Sequence, residues 1–144
     1  MKAQALKCAV LMLLALVISN ASAGRVEPKS PNPLPAGYRA VTLPAARHQL
    51  AYVKPGDRID LMVTFEALLP KGDKEEVTAT ILQNVSVLNV DRSEGLIDLA
   101  LNPNEAQYAV LSMEGKKTIW IERRAEGDVE MKPLEMASFR KLFR

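Results

Sequence analysis

Few side chains in this sequence stand where chemistry needs them. His48 is the only histidine among the 144 residues. No carboxylate, cysteine or hydroxyl pattern surrounds it, so a surface position is the simpler reading than a catalytic base or metal ligand. Asp57 and Asp60 are three apart, and a carboxylate pair can do acid–base work. Asp57, however, completes the turn Pro55-Gly56-Asp57, and Asp60 falls on the wet face of the following strand beside Arg58. No nucleophile, histidine partner or glycine-rich phosphate loop accompanies them. Glu75-Glu76 and Glu122–Arg124 read as solvated faces. Asn84-Val85-Ser86 fits a glycosylation sequon but lies inside a predicted strand, where it is read as chance. Trp120 offers a surface for sugar stacking, although its place between Ile119 and Ile121 fits a core or edge position better. The expectation is no catalytic residue, no cofactor and no metal, which argues against an enzyme.

The elements around these residues begin after residue 23. Lys2 and Lys7 precede an apolar run from Ala9 to about Ile18, and Ala21-Ser22-Ala23 follows. Basic, apolar, then small-x-small is the layout of a secretory signal peptide, here residues 1–23. The run is shorter than the ~20 residues of a usual membrane-spanning helix. An uncleaved anchor in the inner membrane is the alternative to export into the periplasm or cell envelope. Cys8 precedes the run, which excludes acylation at a lipoprotein cleavage point. Cleavage after Ala23 would leave no cysteine and therefore no disulfide. It would also remove Lys2 and Lys7 from 19 basic residues, leaving 17 against 17 acidic ones. A neutral chain without basic blocks gives no electrostatic case for nucleic acid.

Residues 24–37 hold Pro28, Pro31, Pro33 and Pro35 and read as an extended, semi-rigid tether. A mainly β domain is expected over residues 38–124. Tyr38–Leu43 alternates as a strand closed by Pro44, and Ala45–Tyr52 is ambiguous. Ile59, Leu61, Val63 and Phe65 alternate with polar or exposed-type neighbours, giving a half-buried strand. Leu69–Glu76 reads as a charged hairpin loop. Val77–Val90 is a long β-branched strand with a bend or break near Gln83-Asn84, and Leu96–Leu101 is another. Asn102-Pro103-Asn104-Glu105 carries an N-cap, a proline at the first helical position and a glutamate three residues beyond the cap. It predicts a short helix with Ala106, Ala109, Val110 and Met113 on its apolar face and Gly115 as its stop. Thr118–Ile121 is the last strand. The tail, residues 125–144, predicts a short helix over Pro133–Phe143, with Met136, Phe139, Leu142 and Phe143 on one side.

Taken in order, these segments resemble the RcpC/CpaB family of Flp (Tad-type) pilus assembly proteins. Arg39–Pro44 is similar to its RAVTxP strand. Pro55-Gly56-Asp57-Arg58-Ile59-Asp60 is similar to its PGDRVD element, and Leu82-Gln83-Asn84-Val85 to its LQNV strand. Leu99–Val110 is similar to the family's strand-to-helix passage, and Leu134–Leu142 to a short segment near the end of many members. The resemblance implies a compact β-clip (SAF-like) domain with one capped helix. Members usually carry a membrane anchor and the first half of the SAF module before the RAVTxP strand. Here the proline tether stands in that place, so a shortened member is implied, with any activity of the intact module in doubt.

What the resemblance implies for function is a non-enzymatic assembly factor of a Flp/Tad (type IVb) pilus. It would sit in the periplasm and contact other pilus-assembly or secretin proteins, or further copies of itself. A carbohydrate- or peptidoglycan-binding module is the rival, thinly supported by 5% aromatic residues. The motif residues singled out are Arg39, Pro55, Gly56, Asp57, Arg58, Asp60, Gln83 and Asn84. For the tail two readings stand open: a helix that covers a sheet edge, or a partner-docking segment using Phe139, Arg140, Leu142 and Phe143.

Overall fold

A computed structural model describes residues 32–68, 72–115 and 117–142. The proposed signal peptide, the start of the tether and Phe143 lie outside the described residues. The chain is mainly β, as expected. Its strands are β1 (Arg39–Pro44), β2 (Arg58–Leu68), β3 (Lys74–Asp91), β4 (Leu96–Leu101), β5 (Thr118–Arg123) and β6 (Ala137–Ser138). Helix α1 (Pro103–Ser112) joins β4 to β5, and α2 is a single turn, Phe139–Leu142. All pairings are antiparallel in one sheet ordered β1-β4-β3-β2-β5, with β6 also on β3.

Period-two alternation in β2 buries Ile59, Leu61 and Val63 on one face. Val85, Val87, Ile97, Leu99 and Leu101 join them from β3 and β4, and Leu50 and Val53 close the core from the turns before β2. The segment left ambiguous by sequence, Ala45–Tyr52, is a run of turns rather than a helix or strand. Its Gln49 reaches the outer edge of β5. There its amide donates to the Ile119 carbonyl (3.1 Å) and accepts from the Ile121 N–H (3.1 Å).

Helix α1 begins where its sequence demands. Asn102 Oδ1 accepts from the Asn104 and Glu105 amides, and the Glu105 carboxylate accepts from the Asn102 N–H at 2.8 Å. The expected apolar face needs one correction. Ala109 is buried and Ala106 and Met113 pack on the core, but Val110 is more than half exposed. Ser112 takes the inward position, its hydroxyl donating to the Ala109 carbonyl at 2.6 Å. Lys74, Glu75 and Glu76, expected in a solvated loop, belong to β3, where they pair with Leu68, Ala67 and Glu66 of β2. Glu75 is also not solvated: its side chain is 11% exposed beside Arg140.

The bend expected near Gln83-Asn84 is a bulge. The β2–β3 register slips between Ile59/Val85 and Leu61/Leu82, and Asn84 adopts φ +56°. An extra residue in one strand forces such a kink, and asparagine is among the few non-glycine residues that tolerate this backbone.

Candidate functional site

The motif residues before and within β2 meet the β3 bulge. Gly56, at φ +93°, donates its N–H to the Val87 carbonyl (2.9 Å), and the Asp57 carbonyl accepts from Val87 N–H (3.0 Å). The Asp57 carboxylate caps the turn by accepting from the Lys54 N–H and pairs with Arg123, both at 2.8 Å. Arg58 donates to the Asn84 carbonyl at 3.0 Å. Thus seven of the eight motif positions, Pro55 through Asn84, gather around one kink in β3. Arg39 stands apart on β1, donating to the Gly37 and Tyr38 carbonyls.

Asp60 was expected on a wet face and is buried instead, only 9% exposed. The tail explains the difference: it folds over that face. Arg124 lies immediately after β5 with its side chain 7% exposed, and its guanidinium reaches both Asp60 oxygens at 2.9 and 3.3 Å. The same guanidinium takes the Asp128 carboxylate (2.9 Å), the Asp128 carbonyl (3.0 Å) and the Glu130 carbonyl. Asp60 also accepts from the Asn84 N–H at 2.8 Å, fixing the bulge. The two aspartates therefore form no acid–base pair, since Asp57 goes to Arg123 and Asp60 to Arg124. Hydrogen bonding to Arg124, partly opposed by burial, holds the Asp128 carboxyl below its ordinary range, and the Asp128 bond raises Arg124 in turn.

Beyond this clamp the tail runs along β3. Gln83 donates to the Lys132 carbonyl (2.8 Å) and accepts from its N–H (3.1 Å), so its amide behaves as a strand residue would. Asn84 Nδ2 donates to the Val129 carbonyl at 3.4 Å, while its Oδ1 is buried without a partner among the described residues. Ala137 and Ser138 then pair with Thr78 and Val77. The helix predicted over Pro133–Phe143 is thus a bound strap ending in one helical turn. An open strand edge offers backbone partners, which outweighs the helical spacing of Met136, Phe139 and Leu142.

The strap turns its large apolar side chains outward. Val129, Met131, Leu134, Met136, Phe139 and Leu142 are 54–72% exposed. Phe139 and Leu142, with Thr64, Thr78 and Ala137, line an open groove of about 250 Å³. Arg140 pairs with Asp73 and Glu75, and Lys141 with Glu135. Trp120 lies on the outer sheet face, 41% exposed, its indole N–H donating to the Thr64 hydroxyl at 3.0 Å. His48 is exposed. Among the described residues no group of three His, Cys, Asp or Glu side chains could hold a metal, and no helix is long and apolar enough to cross a membrane.

The sequence model of the family described as Flp pilus assembly protein RcpC/CpaB matches residues 32–119. The chain belongs to that family. No curated protein and no solved structure matches it. The RcpC/CpaB match contains Asp60, Gln83 and Asn84, which seat the strap, but stops short of the strap itself. Sequence reading singled out those three only as family-motif residues. It placed Arg124 on a solvated face, whereas its side chain is 7% exposed because Asp60, Asp128 and the tail carbonyls enclose it.

Proposed function

We propose that this chain is a non-enzymatic assembly factor of a Flp pilus, exported to the periplasm and working through protein contacts. The family match over residues 32–119 carries this reading. The contact surface in this reading is the outward apolar strap, where six large apolar side chains stand more than half exposed within residues 129–142. The basic-apolar-small layout of residues 1–23 supports export.

The test pairs genetics with capture. Met131→Asp/Phe139→Asp changes two exposed side chains and should leave the fold intact by circular dichroism. It should abolish pilus formation and co-purification of envelope components. Normal piliation by a folded double variant would remove the strap from the function. For export, intact mass should place the first residue at Gly24; a full-length chain in the inner membrane overturns that part.

A further inference from the structure

We propose that two copies of this chain pair through the outer edge of β1, antiparallel across a two-fold axis at Val41. The strap takes no part in this contact.

The ladder fixes which backbone groups face outward. Ala45 donates its N–H to the Gly95 carbonyl at 2.8 Å, in phase with the β1–β4 register. Bonded and non-bonded pairs alternate in an antiparallel ladder, so Leu43, Val41 and Arg39 exchange bonds with β4. Ala40, Thr42 and Pro44 turn their backbone groups the other way. The Thr42 hydroxyl meets Asp98 at 2.6 Å, the close side-chain approach of a non-bonded pair. All three residues are exposed, and among the described residues no further strand lies beside β1.

The open stretch is short and closed at both ends. Before it, the Tyr38 N–H donates to the Pro35 carbonyl and the Tyr38 carbonyl accepts from Arg39, both at 3.1 Å. Arg39, the motif residue that stands apart from the others, thus caps this edge. After it, Pro44 offers a carbonyl but no donor. Between them stand the N–H and C=O groups of Ala40 and Thr42.

One register of a reversed copy satisfies all of these. Ala40 lies opposite the partner's Thr42, so each N–H meets a C=O, and the axis repeats both exchanges. Val41 faces the partner's Val41 as a non-bonded pair, a favourable arrangement for β-branched side chains. The capped Tyr38 falls opposite Pro44, so groups that cannot pair meet each other. Arg39 lies across from Leu43, its guanidinium already turned back on the Gly37 and Tyr38 carbonyls. Setting Thr42 on Thr42 would instead leave the Ala40 carbonyl facing Pro44, which has no donor. A foreign strand can bond the same groups, but a reversed copy also stops at both ends where this one stops. The pairing consumes the edge, and Gln49 already occupies the opposite edge at β5, so the assembly closes at two chains.

A few main-chain bonds at their usual net worth place the dissociation constant near about 1 mM. Sedimentation equilibrium on the purified chain should show dimer at that concentration. Ala40→Pro removes an outward N–H and leaves the β4 ladder whole. It should keep the unfolding midpoint and raise the dissociation constant at least about tenfold. Independently, Val41→Cys in a Cys8→Ser background sets two Cα atoms about 4.5 Å apart, within disulfide reach. It should cross-link to its own copy on mild oxidation, and Glu122→Cys on β5 should not. Met131→Asp/Phe139→Asp should alter neither result; loss of the dimer in that variant moves the contact to the strap and overturns the proposal. A chain still monomeric at about 1 mM, a dimer indifferent to Ala40→Pro, or no cross-link at position 41 each overturns it as well.

Discussion

Two neighbours share one edge of β3, and they are held in different ways. Toward its end, β4 pairs along Ser86–Asp91 and brings in Ile97, Leu99 and Leu101, each fully buried. Toward its start, the strap pairs at only two positions, Val77 and Thr78, and leaves its own large apolar residues in water. One neighbour is attached by apolar burial and a full ladder. The other is attached by amides, one buried guanidinium and exposed ion pairs. Segments with little buried apolar contact open at lower free energy than the core. The strap should therefore open locally while β4 opens only with the whole domain.

The largest effect should come from the β4 side. Leu99→Ala should cost about 2–5 kcal/mol by denaturant unfolding, while Leu134→Ala should stay within about 0.5 kcal/mol. Equal losses at the two sites would erase the contrast. Asp60→Ala comes next. It strands Arg124 in a buried site and should cost about 2–3 kcal/mol, less than a fully broken buried pair because Asp128 and two carbonyls remain. Hydrogen exchange should show the strap amides unprotected in that variant.

Gln83→Ala sharpens the comparison further. It removes both bonds to Lys132, about 1–2 kcal/mol, from the strap alone. Amide exchange at Lys132 should accelerate while the global unfolding midpoint moves little. The smallest effect is acid sensitivity. Asp128 binds its proton more weakly when folded than the ordinary 3.8, and Glu135 more weakly than its 4.5. Their stabilisation is complete above those ordinary values and is lost as pH falls through them toward the lower folded values. Strap protection should fade there ahead of β4; simultaneous loss would mean one cooperative unit.

The same contrast separates what sequence could reveal from what it could not. Asn102–Glu105 is a local device whose two reciprocal bonds lie within four residues, so the helix start was legible. The alternation of Ile59, Leu61 and Val63 was legible because one face of β2 meets a continuous core. Asp60 misled for the same reason: alternation puts it outward, and only a segment 64 residues away makes outward mean buried. The strap misled because its spacing was helical, whereas its conformation is imposed by an edge of β3 that no local pattern describes. Gln83 and Asn84 were singled out, but their role as a seat depends on Lys132 and Val129, and that pairing exists only in three dimensions.

Gln49 bears on a hazard of another kind. The outer side of β5 would ordinarily offer the Ile119 carbonyl and the Ile121 N–H to any passing extended peptide. A side-chain amide occupies both, so the sheet is terminated there by a residue that cannot itself be extended. That edge is thereby closed, at these two groups, to strand addition by another extended chain. Two hydrogen bonds from a turn residue supply the termination without an added strand.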